Sequence, residues 1–321
     1  MRRAFALLEL LSDGAEHAGA ELAVALGVTR AAVWHQVAQL REQGMAITAA
    51  RGHGYRLLGG FEALSAEVIR TQLTGPARQE LSIDTVTITD STNERLLAAL
   101  SAADIHGQVL LAEHQTAGRG RRGDRWISPP GSGLCLSLGW RFEQPPATFS
   151  ALSLVVGMAI AESLRELGVS AAMLKWPNDI LSEGGKLAGI LIEMRAEAGG
   201  PCSTVIGIGI NVDLSARARG LINQPVEDFT HATGGGVSRN RLAAVLLSAL
   251  ARTLPHFGRD GFAVFRNDWR RYDALVDKSV KLELPNRTVT GTARGVDPHG
   301  ALIIEHDGRR EIFVSGHLSR A

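Results

Sequence analysis

The sequence predicts an α+β protein of three successive units: an N-terminal winged helix-turn-helix over 1–62, a central mixed β-sheet domain over 63–273 and a small β-barrel over 274–321. Three observations predict it. Residues 1–62 hold three short helical patterns followed by a hairpin, and two helices joined by a Gly-containing turn are the core of such a unit. In 63–273, strand-like runs follow one another through tight turns instead of alternating with helices, which argues against a doubly wound sheet. The final stretch is short strands and turns throughout. A length of 321 residues, at roughly 150 per domain, permits two or three units.

Composition narrows the class. Hydrophobic residues make up 45% and charged residues 21%, enough apolar surface for a core and too much for a disordered chain. The most apolar run, 152–161, is about half of the ~20 residues a bilayer requires. The formal charge of +1 steers the whole chain to neither nucleic acid nor membrane. Two cysteines, Cys135 and Cys202, make no disulfide framework and suit a reducing cytoplasm. The opening Met1-Arg2-Arg3 is signal-like, but Glu9, Asp13 and Glu16 interrupt it, so a helix is expected there. Of 34 basic residues only Lys175, Lys186, Lys278 and Lys281 are lysine, which makes each lysine informative.

In the first unit, Ala4, Leu7, Leu8 and Leu11 have helical spacing, and Asp13-Gly14 ends the helix. A second helix fits 19–26, closed by Gly27. Thr29 caps a third, with Ala32, Val33, Val37 and Leu40 as its buried stripe and Gly44 at its end. A hairpin follows, with its tip at Arg51-Gly52-His53-Gly54. Residues 29–58 carry Arg30, Arg41, Arg51 and Arg56 against Glu42, a local excess of three positive charges. The third helix offers Thr29, Arg30, Trp34, His35 and Gln36 near its start, where a recognition helix meets base edges, and the tip Arg51 and His53 reach for phosphate or minor groove. The same pattern also describes a protein-interaction module with solvated arginines.

After a Gly59-Gly60 linker, strands are expected over 83–89, 108–114, 134–140, 172–175, 188–194 and 203–212, with helices over 93–102, 149–167 and 239–257. Four clusters stand out. Gly118-Arg119-Gly120-Arg121-Arg122-Gly123 matches G-x-G-x-x-G, but Pro129-Pro130 prevents the helix a dinucleotide fingerprint must open. What remains is a basic loop suited to an anionic small molecule, or a second nucleic-acid patch. Lys175-Trp176-Pro177-Asn178-Asp179 and Lys186 lie on a hairpin turning at 183–185, a set that holds phosphate, ribose or Mg²⁺, or is plain turn chemistry. Gly207 and Gly209 bare one side of a strand for a flat ring, a bulge or a close helix crossing. Ser91 and Glu94 have capping-box spacing at a helix start that also presents N–H groups and hydroxyls. The last unit has strands over 279–284, 288–296, 301–306 and 311–314.

Taken in order, Ser91-Thr92-Asn93, Glu113-x-Gln115-x-x-Gly118-Arg119-Gly120-Arg121, Lys175-Trp176-Pro177-Asn178-Asp179, Lys186-Leu187-Ala188-Gly189 and Gly207-x-Gly209-x-Asn211 resemble the signature set of biotin protein ligases. The likeness extends over essentially the whole chain and is to the bacterial bifunctional type, ligase and biotin-operon repressor in one. It implies a class II synthetase-like catalytic domain of the biotin/lipoate ligase type and an SH3-like C-terminal barrel. It implies activation of biotin by ATP and Mg²⁺ to biotinyl-5′-AMP, then transfer to a lysine of the biotin carboxyl carrier protein subunit of acetyl-CoA carboxylase. It also implies operator DNA as a partner, biotinyl-5′-AMP as corepressor and a homodimer when ligand is bound, with no membrane association.

By the same resemblance, Lys186, Arg119 and Arg121 are the catalytic cations. Ser91, Thr92, Asn93, Gln115, Gly118, Arg119, Gly120, Arg121, Lys186, Gly207 and Gly209 match the biotin site. Arg121, Trp126, Lys175, Asn178, Asp179, Asn211 and Arg320 match the ATP site, with Asp179 the candidate metal contact. The chain departs from the pattern at Asp124-Arg125, where relatives carry two basic residues. It departs again in the stretch 224–229, where some relatives stack adenine on a Trp and the aromatic here is Phe229. The competing functions are a metabolite-sensing DNA-binding regulator without catalysis, and a lipoate-type ligase.

Overall fold

The computed structural model describes residues 2–50, 54–143, 151–183, 185–196 and 201–320. The first unit contains α1 (Arg2–Leu10), α2 (Gly19–Leu26), α3 (Arg30–Glu42) and the antiparallel pair β1 (Ile47–Ala50) and β2 (Gly54–Leu57). Its helix boundaries follow the local signals. Gly27 closes α2 in the left-handed conformation, and Thr29 Oγ1 accepts from Ala32 N at 3.2 Å to start α3. Leu7, Leu8, Leu11, Val33, Val37 and Leu40 meet in a core of this unit's own.

The expected linker ends in Ser65, which accepts from Val68 N and caps α4 (Ala66–Gln72), a helix too short to show a periodic stripe. After α5 (Ala77–Glu80) come β3 (Ser82–Thr89), α6 (Thr92–Ala99), β4 (Gln108–Gln115), β5 (Gly133–Phe142) and α7 (Leu152–Glu166). The strands β6 (Met173–Lys175), β7 (Asp179–Ser182), β8 (Gly185–Ala196) and β9 (Cys202–Asn211) complete a seven-stranded sheet in the order β3-β4-β5-β9-β8-β7-β6. Only β3 and β4 are parallel, so the sheet is mixed, as expected. The short helices α8 (Ala216–Gly220) and α9 (Phe229–Thr233) precede α10 (Arg239–Asp260), and α11 (Arg266–Tyr272) follows. One face of the sheet carries α7 and α10, which pack on each other. The other carries α6, against β4, β5 and β9, and holds the functional site.

The last unit is a five-stranded antiparallel sheet: β10 (Ser279–Glu283), β11 (Thr288–Val296), β12 (Leu302–His306), β13 (Arg309–Phe313) and β14 (His317–Arg320), ordered β13-β12-β11-β10-β14. An irregularity between Ala293 and Val296 bends β11, as expected of a strand curling around a small core. The strand β14 has no apolar alternation to announce it; it exists through pairing with β10, some forty positions upstream. Val280, Leu282, Ile304 and Leu318 join the same buried cluster as the central sheet. Trp176 fastens the two together, its indole N–H donating to the Gly300 carbonyl at 3.1 Å.

Candidate active site

The glycine loop is a closed turn. Trp126 N donates to Gly118 O at 2.9 Å and Gly120 N to Asp124 O at 2.7 Å, so the chain folds back after β4 through one 3-10 turn at Arg121–Gly123 and no α-helix begins. This is the geometry the Pro pair requires. Arg121 donates to Asn178 Oδ1 at 3.2 Å. Burial and the neighbouring Arg122 push its guanidinium pKa down while Asp179 opposes them, so Arg121 is a poorly solvated cation, ready to meet an anion. Arg119 pairs with Glu94 and, at 3.0 Å, with Glu193. Glu94 is thereby drawn away from its helix start: the expected capping box is half made, with Ser91 Oγ accepting from Glu94 N and the Glu94 carboxylate serving Arg119.

Strands β6, β7 and β8 set two ammonium groups around one carboxylate; Lys175 ends β6 and so lies one strand before the β7–β8 hairpin that carries Asp179 and Lys186. Lys186 Nζ lies 2.7 Å from Asp179 Oδ1 and Lys175 Nζ 3.6 Å from Oδ2. Asn178 is pinned by its own Nδ2 donating to Ile190 O at 3.0 Å, which turns Oδ1 toward Arg121. Asn211 Nδ2 donates to the carbonyls of Lys186 at 3.2 Å and Glu227 at 3.0 Å, holding the backbone under the lysine.

A second, neutral half adjoins the cations. Thr92 N donates to Gln115 Oε1 at 2.8 Å, and Ser137 Oγ lies 2.7 Å from Thr92 Oγ1 and 2.5 Å from Asn93 Oδ1. The bare strip of β9 is already covered. A Cβ at Gly207 would stand 2.2 Å from Asn93 Oδ1, and one at Gly209 would stand 2.3 Å from the Trp126 indole. The flat ring against the glycines is the protein's own Trp126, so a ligand ring would rest on residues that the glycines admit. His114 forms part of the floor; its Nδ1 lies 3.0 Å from Ser128 O, and burial outweighs that bond to push its pKa down.

All of this encloses one cavity of about 1010 Å³. Ser91, Thr92, Asn93 and Gln115 line it from one side; Arg119, Gly120, Arg121 and Trp126 from the loop; Lys175, Asn178, Asp179 and Lys186 from β6, β7, β8 and the turn between the first two; and Gly207, Gly209 and Asn211 from β9. Gly118 is behind the wall, closing the neck of the loop. Sequence reasoning missed Arg217, Ala218, Leu221, Ile222 and Asn223, Ser137 and Glu193 around it, and His317 and Leu318 of β14; Arg122, Asp124 and Arg125, noted in the sequence only as loop residues, line it too. The backbone of Arg320 pairs with Val280 at the far end of β14, and its side chain lies outside the described residues. Phe229 is corrected: it is 2% exposed in the main core, because Asp228 caps α9 and turns the ring inward, and it does not face the cavity.

Asp179 is matched by two ammonium groups, and among the described residues no set of three or more His, Cys, Asp or Glu side chains could cage an ion. The donor set fits a metal that arrives on a polyphosphate and keeps phosphate and water ligands, with Asp179 as a single protein neighbour.

On the winged helix, Thr29, Arg30, Trp34 and His35 are exposed at the start of α3, with Trp34 and His35 edge to face at 4.9 Å between ring centroids. Gln36 is corrected: it shares the packed face with Val33, Val37 and Leu40 and is 7% exposed, so it reaches no base edge. Two of the four arginines of the local charge excess serve the fold, Arg41 Nε donating to Ile47 O at 2.8 Å and Arg56 Nε to Gly14 O at 2.6 Å. Arg51 and His53 lie outside the described residues.

Comparison with known proteins agrees with this geometry. Residues 86–211 match the Biotin/lipoate A/B protein ligase family, 3–56 an HTH domain and 276–319 the biotin protein ligase C-terminal domain. The chain is 38% identical to the bifunctional ligase/repressor BirA of Escherichia coli K12, over 98% of this chain and 95% of that protein. It is 37% identical to the biotin–[acetyl-CoA-carboxylase] ligase of Mycobacterium tuberculosis, over 79% of this chain and 95% of that protein. The structure resembles that of the Aquifex aeolicus biotin protein ligase in complex with biotin and ATP, with a TM-score of 0.63 and 26% identity, covering 75% of this chain and 99% of the other.

Proposed function

The chain belongs to the biotin protein ligase family, in its bifunctional ligase/repressor form, and on that premise we propose that it activates biotin with Mg·ATP and transfers it to a carrier-protein lysine. The observation that carries the reading is the convergence of Arg121, Lys175 and Lys186 on one cavity beside a neutral pocket of donors and acceptors. Both reactants of the first step are anions. A biotin carboxylate oxygen attacks the α-phosphorus of ATP, the bond to pyrophosphate breaks, and biotinyl-5′-AMP forms. Fixed guanidinium and ammonium groups in a partly dry cavity offset the repulsion and the charge that builds on the phosphorus. Asp179 would be the protein's one contact to a magnesium ion carried by the nucleotide, which would supply positive charge at the leaving pyrophosphate. The ring system of biotin takes the Asn93–Ser137–Thr92–Gln115 side, where its ureido group meets both donors and acceptors. In the second step a neutral lysine amine of the biotin carboxyl carrier protein attacks the acyl carbon, AMP departs with the electron pair of the broken C–O bond, and the nitrogen releases one proton to solvent as the amide forms.

Residues 63–273 with 274–321 form the ligase portion in this reading, and 1–62 the operator-binding portion, with Thr29, Arg30, Trp34 and His35 toward DNA. Biotinyl-5′-AMP promotes a homodimer that reads two half-sites in the cytoplasm. The test is direct. The chain is incubated with biotin, Mg·ATP and a carrier domain, and the carrier's mass is measured. A single biotinyl addition supports the reading; no addition, or transfer of lipoate in its place, sinks it.

A further inference from the structure

Glu193 is absent from the cavity wall, yet it holds two groups that form it. Its Oε1 accepts from Arg119 Nη2 and its Oε2 from Asn93 Nδ2, each at 3.0 Å. Asn93 Nδ2 also donates to Leu191 O at 3.2 Å, which leaves Oδ1 for Ser137 and through it for Thr92 and Gln115. We infer that Glu193 is a positioning residue for acid activation, whose single carboxylate sets the loop arginine and the ring pocket's amide in one register. The inference rests on the ligase reading above.

The chemistry of the junction demands an ionised carboxylate. Both partners present N–H groups to it, and an ionised carboxylate accepts at both oxygens without offering a donor. Glutamine has one acceptor and one donor, so at one of the two contacts N–H would face N–H. Either Arg119 loses its anchor or Asn93 turns and disturbs Ser137 behind it. Glu94 makes the contrast: among the described residues its carboxylate has Arg119 as its one partner, and a glutamine there can turn its carbonyl to the guanidinium. Glu193 is also less exposed than Glu94, 23% against 48%, so its contacts are less open to replacement by water.

The test compares wild type, Glu193→Gln, Glu94→Gln, Arg119→Ala and Arg119→Ala/Glu193→Gln, all full length, by biotin-dependent pyrophosphate release at saturating Mg·ATP. Glu193→Gln is expected to raise the biotin KM about tenfold, the size of one unmet, partly buried donor, with the ATP KM within about twofold of wild type. Glu94→Gln is expected to raise the biotin KM by less than about threefold. In the Arg119→Ala background the glutamine has only Asn93 to satisfy, so its added penalty falls below about twofold. Glu193→Asp keeps two acceptors at shorter reach and runs the same cycle should the glutamine variant not fold; its penalty too must fall when Arg119 is gone. A biotin KM for Glu193→Gln within about twofold of wild type, or an equal penalty with and without Arg119, overturns the inference. Failure of the ligase reading would show differently, as wild type releasing no pyrophosphate.

Discussion

At the scale of single residues, the site depends on cations that cannot relax into water and on glycines that admit a neighbour. In the proposed mechanism Lys186→Ala removes a charge that offsets the developing anion, and it should slow acyl-adenylate formation about 10²–10³-fold in a single-turnover pyrophosphate assay. A rate within about threefold of wild type would take Lys186 out of the chemistry. Gly207→Ala places a methyl group where Asn93 Oδ1 now sits. Overpacking of this kind costs about 1–3 kcal/mol, so biotin affinity measured by calorimetry should fall roughly 5–150-fold. His114 carries a pH prediction. Burial pushes its folded-state pKa down, so the unfolded chain binds the proton more readily, and stability falls as pH drops through the unfolded value near 6.5. His114→Asn, which retains a donor toward Ser128, should lose less stability than wild type between about pH 7.5 and 5.5 in urea titrations. The residue types of the site were legible in order along the chain. The partners that silence Arg119 were not, because Glu94 and Glu193 lie 25 and 74 positions from it and meet it only through the sheet.

At the scale of elements, the segment joining the winged helix to the sheet is strapped down by polar groups. Glu113 Oε1 accepts from Leu64 N at 2.5 Å and Oε2 from Arg239 at 2.7 Å, both buried, while Arg239 also donates to Glu62 O. Burial opposes ionisation of Glu62, but bonds from Ser238, Asn240 and Arg239 outweigh it and hold the carboxyl below its usual range. Glu113→Ala leaves Arg239 buried without its counter-ion and should cost about 3–5 kcal/mol, read as a lower urea midpoint. A loss of unfolding free energy of less than about 1 kcal/mol would mean that the strap is replaceable by water. Helices with capping residues and glycine stops, α2 and α3 above all, were read closely from sequence because their signals are local. Short elements such as α4, α8 and β14 carry too few residues for a period to show.

At the scale of the whole molecule, one helix runs from the exposed face of the winged helix to the cavity. The start of α3 exposes Thr29, Arg30, Trp34 and His35, and its end brings Glu42 and Gln43 to the rim of the same cavity that Arg217 and Leu221 line. Operator binding measured over a salt series should give a slope of about −0.9 per phosphate neutralised, and Arg30→Ala should reduce its magnitude by about one contact. An unchanged slope would place Arg30 away from the backbone. If biotin with Mg·ATP tightens DNA binding, DNA must tighten ligand binding by the same factor; unequal factors in matched titrations would show that the two states are not linked at equilibrium.

Neighbouring residues and their stereochemistry alone dictate the three-unit order, the caps and stops of the winged helix and the lack of a dinucleotide helix after the glycine loop, while the choice of catalytic cations comes from the resemblance of the motifs to a family. Packing settles which of these groups face one cavity, that Trp126 and Asn93 fill the glycine strip, that Gln36 and Phe229 turn inward, and that Glu193 joins loop to pocket. Those outcomes depend on strands and helices distant in the chain packing side by side, and packing assigns every side chain a direction that local spacing leaves open.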